Sequence, residues 1–116
     1  FFQNRASEVF GLDIHPAAKI AGGVMIDHAT GVVIGETAEI ETEVSIYQGV
    51  TLGGKGFDSG KRHPNIKKGA SIFAASTILG NITIGEGSIV AAGSLVLKDV
   101  NSNTTVAGVP AKETNN

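Results

Sequence analysis

Cysteine is absent from the chain, which excludes a disulfide framework and any thiolate metal site. Tryptophan is absent as well, and aromatic residues make up 5% of the 116 residues. Basic residues are not in excess, with nine Lys and Arg against eleven Asp and Glu. Nucleic acid and anionic membranes are therefore not expected as main partners, and Lys67-Lys68 is left as a local anion contact. No apolar run approaches the roughly 18 residues that a spanning helix needs, and nothing resembles a signal peptide. These absences predict a soluble, cytoplasmic protein. The length fits one domain with a core of moderate size. Glycine is abundant instead, at sixteen residues, so the backbone must turn often.

A repeat organises those turns. Every sixth residue is aliphatic: Ile14, Ile20 and Ile26, then after a slip of two residues Ile34, Ile40, Ile46 and Leu52. After a second break the series continues as Ile66, Ile72, Ile78, Ile84, Val90 and Val96. Four residues after nearly every member comes a small or β-branched side chain, among them Ala18, Val24, Thr30, Ala38, Ala70, Ser76 and Ser88, with Ile82 the larger exception. A six-residue period fits neither a helix nor a hairpin stack, but it fits a solenoid of short strands. Each hexad supplies one flat and one corner, the aliphatic residue points inward, and three hexads close a triangular coil. Gly35, Gly85, Gly87 and Gly93 ease the turns. Four to five such coils, about 4.8 Å apart, make an all-β parallel β-helix.

Two segments lie outside the period. "FFQNRASEVF", residues 1–10, has helix-compatible apolar spacing and reads as the end of a helix that packs on the first coil, with Gly11 as its stop. Residues 11–112 form the β-helix and 113–116 a tail. Within the β-helix, "GGKGFDSGKRHPN", Gly53 to Asn65, is a Gly-rich loop thrown out of a rigid scaffold, where binding residues are expected.

Polar residues that a solenoid does not need stand out against this pattern: Asp13 and His15, Asp27 and His28, and Arg62 and His63. With one face starting at Ile26, His28 falls near its middle and Asp13 ends the corresponding face one coil below, a spacing at which carboxylate and imidazole can meet. Such a carboxylate fixes the tautomer and raises the basicity of the far nitrogen, which can then act as a general base. His15, followed by Pro16, reads as a structural corner residue. Three histidines can also hold zinc between subunits, but adjacent Asp-His and Arg-His pairs suit a substrate with both a carboxylate and an amine better, and no metal is expected.

The motifs "DIHPAAKI", "DHATGVVIGETA", "VTLGGKG", "RHPNIKKGA", "ILGNITIG" and "AGVPAK" together resemble the serine O-acetyltransferases of the hexapeptide acyltransferase superfamily, from about Phe2 to Lys112. That resemblance implies a left-handed coil, against the usual right-handed crossover, and transfer of an acetyl group from acetyl-CoA to the hydroxyl of L-serine for cysteine biosynthesis. By motif, His28 resembles the general base and Asp13 its partner. Asp27, Arg62 and His63 resemble the residues that hold serine, and Gly54, Ala74 and Ala92 line the pantetheine arm, with Lys112 near the coenzyme phosphates. The resemblance also implies a homotrimer with active sites shared between subunits, Arg62 and His63 reaching in from the neighbour. The family carries a helical N-terminal domain of which this chain holds only the end, as a fragment or a minimal form. The tail "AKETNN" lacks the family's terminal isoleucine, so binding to cysteine synthase through it is not expected. Phe73 stands where the family pattern has glycine and is read as pointing outward, toward the coenzyme channel or a trimer contact. Two other readings stay open: another hexapeptide-repeat O-acetyltransferase with a sugar or antibiotic acceptor, and an inactive trimeric fragment.

Overall fold

A computed structural model describes residues 13–27, 30–55 and 60–114. The helix expected over residues 1–10 and its stop at Gly11 lie outside the described residues. Fifteen strands, numbered in chain order, make up the regular structure of the described residues. They form the three walls of a left-handed parallel β-helix. The first sheet stacks β1 (Asp13–Ile14), β4 (Val33–Ile34), β7 (Thr51–Gly53), β10 (Thr77–Leu79) and β13 (Leu95–Val96). The second stacks β2 (Lys19–Ile20), β5 (Glu39–Ile40), β8 (Asn65–Ile66) and β11 (Thr83–Ile84). The third stacks β3 (Met25–Ile26), β6 (Ser45–Ile46), β9 (Ser71–Ile72), β12 (Ile89–Val90) and β14 (Thr105–Gly108). On that last strand β15 (Ala111–Glu113) folds back antiparallel. Corner I joins the first sheet to the second, corner II the second to the third, and corner III the third to the first strand of the next coil.

The aliphatic ladder is the core. In the second sheet Ile20 registers on Ile40, Ile40 on Ile66 and Ile66 on Ile84, and the first and third sheets carry equivalent columns ending at Val96 and Val106. From Ile34 to Val96 every rung of the period is buried. The residue two before each rung also points inward, which is why small side chains recur there: Ala38, Val44, Val50 and Ala70 are all buried. Serine fills this slot in the upper coils. The Ser76 and Ser88 hydroxyls donate to the carbonyls of Ala91 (2.8 Å) and Asn101 (2.6 Å), so their burial leaves the hydroxyl paired.

The slip after Ile26 shifts this second slot. Thr30 is exposed, and Val32, two before Ile34, is fully buried in its place. The inward position is counted back from the next rung, so two extra residues in a corner move it by two. The glycines also divide into two kinds. Gly87 and Gly93 have φ of 67° and 72°, the left-handed region that tight turns demand. Gly35 and Gly85 are needed for space: a Cβ on Gly85 would lie 2.4 Å from the Ser102 backbone nitrogen, and one on Gly35 would lie 2.1 Å from the His63 ring.

At corner III the left-handed column runs Gly31, Gly49, Ala75, Gly93, with Ala75 at φ 62°. Ala75→Gly should raise stability by a few tenths to about 1 kcal/mol, because relief of the left-handed strain outweighs the added freedom of the unfolded chain. Ile84→Ala, at a fully buried rung, should lower it by about 2–5 kcal/mol. Shifts of the urea midpoint at constant slope measure both.

Candidate functional site

The long loop leaves the first sheet after Gly53 and returns to the second at Asn65. Its re-entry is set by the core: Pro64 is buried, in the slot two before Ile66, and its carbonyl accepts the Glu39 N–H at 3.1 Å. Lys61, Arg62 and His63 are thereby laid across corner I of the coil beneath, Gly35 to Ala38. The Thr37 side chain receives them. Its Oγ1 accepts the backbone N–H of Arg62 and of His63, each at 2.9 Å, and lies 2.8 Å from His63 Nδ1. The Thr37 N–H donates to the same Nδ1 at 3.1 Å, and the Thr37 carbonyl accepts from Lys61 Nζ. The imidazole is 7% exposed, seated against Gly35 and Gly54, where any side chain would collide with it.

Charge is arranged around that ring. Arg62 Nη2 meets Glu36 Oε1 at 2.7 Å with both side chains partly open to solvent. The hydrogen bond from Arg62, and then its charge, hold the Glu36 carboxyl below the usual range. Burial pushes the His63 imidazole below the ordinary histidine range, and the cations Arg62 and Lys61 push the same way against a smaller pull from Glu36. Desolvation likewise lowers the Lys61 amine, opposed by Glu39, which lies 3.9 Å away. A cleft of about 300 Å³ opens beside this corner between Lys19, Glu36, Thr37, Glu39 and Lys61. The corner thus offers a guanidinium and a neutral imidazole side by side, a pairing suited to holding a carboxylate.

Corner I and corner III divide the remaining sequence-predicted residues between them. Asp27 follows β3 and lies at corner III, its N–H donating to Ile46 O at 2.8 Å. His28 is outside the described residues. Asp13 stacks under Val33 in the first sheet, its N–H on Val32 O at 2.8 Å, and so ends the face one coil below the one that starts at Ile26. Residues 27–32 separate β3 from β4, two more than the 47–50 that separate β6 from β7, and Asp13 sits one coil below the far end of that stretch. Gly54 lies by His63 at corner I, whereas Ala74 and Ala92 lie at corner III, their turns linked by the Gly93 N–H on Ala74 O at 2.9 Å. Within one chain the length of the first sheet separates Arg62, His63 and Gly54 from Asp27, Ala74 and Ala92.

Lys112 is on β15, opposite Ala107, and lines an end groove of about 400 Å³ with Lys98, Val106 and Pro110. Phe73 points outward and stacks on Tyr47 with ring centroids 4.9 Å apart. Phe73 directly precedes Ala74 at corner III. His15 is an exposed corner residue whose Nδ1 accepts the Ala17 N–H at 3.0 Å. Thr37 and Glu36, which organise His63 and Arg62, were not singled out from the sequence. A threonine in a corner carries no signal of its own, and its partners lie 25 and 26 residues away. Among the described residues no group of three or more His, Cys, Asp or Glu is placed to hold a metal ion, and none of their helices is long and apolar enough to cross a membrane.

No protein-family model matches the chain. Over 110 residues it is 66% identical to serine acetyltransferase 4 of Arabidopsis thaliana, covering 95% of this chain and 31% of that protein. The crystal structure of Neisseria gonorrhoeae serine acetyltransferase in complex with serine superposes with a TM-score of 0.89 at 56% identity, over 95% of this chain and 45% of that one. A serine acetyltransferase in complex with CoA superposes with a TM-score of 0.89 at 53% identity, over 97% and 46% respectively. The chain therefore spans about a third of the curated relative and under half of each solved one.

The lowered His63 and Glu36 fix the sign of a pH effect. In each case the unfolded chain binds the proton more readily, so stability is full above the unfolded value and declines as pH falls. For His63 the decline should begin near pH 6.5; for Glu36 it should begin near 4.5. Urea midpoints at pH 7.5 and about 5.5 should differ in the native chain, and His63→Gln should reduce that difference.

Proposed function

We propose, taking the chain as a homologue along nearly its whole length of one part of the serine acetyltransferases, that it transfers the acetyl group of acetyl-CoA to the hydroxyl of L-serine. The observation that carries this reading is the Arg62–His63 segment, anchored on Thr37 with a partly exposed guanidinium beside a buried, neutral imidazole. Arg62 and His63 hold the serine carboxylate, and Asp27 faces the serine amine. Because Asp27 and Arg62 occupy different corners of one chain, a complete site combines corner III of one copy with corner I of another. A trimer whose three-fold axis runs between the coils supplies three such sites. This arrangement also brings Gly54 of one copy toward Ala74 and Ala92 of its neighbour, where the small residues let a pantetheine arm approach the backbone. Lys112, at the end groove, serves the coenzyme phosphates.

In the reaction His28, oriented by Asp13, removes the proton from the serine hydroxyl. The oxygen attacks the thioester carbonyl, and backbone N–H groups near Gly54 stabilise the tetrahedral oxyanion. As the carbon–sulfur bond breaks, the His28 imidazolium returns its proton to the leaving thiolate. O-acetylserine and coenzyme A leave, with no acyl group ever carried by the protein. The cytoplasm, where acetyl-CoA is available, is the proposed location.

Thiol release from acetyl-CoA, compared with serine and with a galactoside as acceptor, tests this reading. Turnover with serine is expected. His28→Ala should lower it by about 10²–10⁴-fold with an unchanged circular dichroism spectrum, and Arg62→Lys should raise the serine KM more than the acetyl-CoA KM. Turnover only with the galactoside points to another O-acetyltransferase. Silence with serine despite coenzyme A binding favours an inactive fragment that keeps its ligand pockets.

A further inference from the structure

The hydrogen bonds at corner I go beyond holding a loop. The Thr37 hydroxyl has one proton and accepts two backbone N–H groups, from Arg62 and His63. With those acceptor sites filled, its proton is left to point at His63 Nδ1, 2.8 Å away. The Thr37 N–H is aimed at the same nitrogen. A nitrogen that receives two donors carries no proton, so the proton of a neutral imidazole must sit on Nε2. That nitrogen lies beside Gly35 and Gly54, neither of which places a side chain over it.

We infer that Thr37 is a positioning residue that locks His63 in the Nε2–H tautomer, so that His63 serves the acceptor site as a neutral hydrogen-bond donor and never as a base. The inference rests on the acetyltransferase reading only for the word acceptor. The tautomer follows from the geometry of the chain itself. Protonating Nδ1 would set a new N–H against the Thr37 N–H and turn the hydroxyl away. Of the charged groups facing the ring, Arg62 and Lys61 from its own segment and His15 from the coil below disfavour an imidazolium; Glu36 favours it, and burial together with the cations outweighs that pull. The negative charge of a bound carboxylate is then met by Arg62, and His63 adds direction. His63 is thereby a fixed donor at corner I, a role distinct from that of a general base.

The test uses the full chain with its histidine ring nitrogens isotopically labelled, and long-range proton–nitrogen correlation to read the tautomer. His63→Gln assigns the signal. The expected pattern is Nε2–H at neutral pH, with titration below the ordinary histidine range. Thr37→Ser, which keeps the hydroxyl, should preserve both the pattern and the slow amide exchange of Arg62 and His63. Thr37→Val, which keeps the shape, should speed those amides, raise the titration midpoint and increase the acceptor KM about tenfold with little change in the acetyl-CoA KM. An Nδ1–H pattern in the native chain overturns the inference, as does a valine variant that behaves natively while the serine variant does not. If the valine variant does not fold, the native and serine spectra still decide. Expected spectra in a chain that fails to acetylate serine would overturn the proposed function and leave this inference standing.

Discussion

Each flat of the coil buries one aliphatic side chain on the rung below it, and everything else in the molecule hangs on that stacking. A rung such as Ile66 is enclosed because Ile40 and Ile84 lie directly under and over it. The walls are two-residue strands too short to be stable alone. Their parallel pairing is held in register because a slip of one residue would turn every rung outward. The requirement is narrow: one inward aliphatic and one small inward residue per six. The outward positions are left open to serve a site, and the corners are where the chain departs from the wall.

That division explains how far the sequence could be read. The ladder from Ile34 to Val96 was legible because burial in a solenoid is decided by period alone. Val32 was harder to see, since the small slot is counted from the next rung and Thr30 occupies the position the period would give. Asp13 was legible as the residue one coil below the far end of the stretch that starts at Ile26, although the two-residue slip lengthens that stretch. The Arg62–His63 pair was visible as an unneeded charge in a long loop. Thr37, which anchors that pair, was not visible, because its partners come from the far side of the loop and nothing in "GETAEI" differs from an ordinary corner.

The polar corner is economical in its chemistry. One threonine provides a hydroxyl, an N–H and a carbonyl, and all three are engaged by Lys61, Arg62 and His63. Gly35 and Gly54 clear the space that the imidazole fills, and the core-facing Pro64 fixes where the segment ends. A buried ring whose acceptor nitrogen is satisfied loses less on desolvation than one left unpaired. Glu36 balances Arg62 without covering it, so the guanidinium stays half-open to solvent.

The loop between Gly53 and Lys61 is bounded at both ends by structure that does not depend on it. The Gly80 N–H is held by Gly53 O at 3.0 Å on one side, and Lys61 to Pro64 are tied to corner I on the other. Chain length inside those anchors is thermodynamically cheap, since doubling a flexible loop costs only about 0.6 kcal/mol. The scaffold therefore separates inheritance into two channels. Substitutions in the ladder are constrained by their neighbours in every coil, whereas changes of chain length between Gly53 and Lys61 leave the register of every rung unaltered.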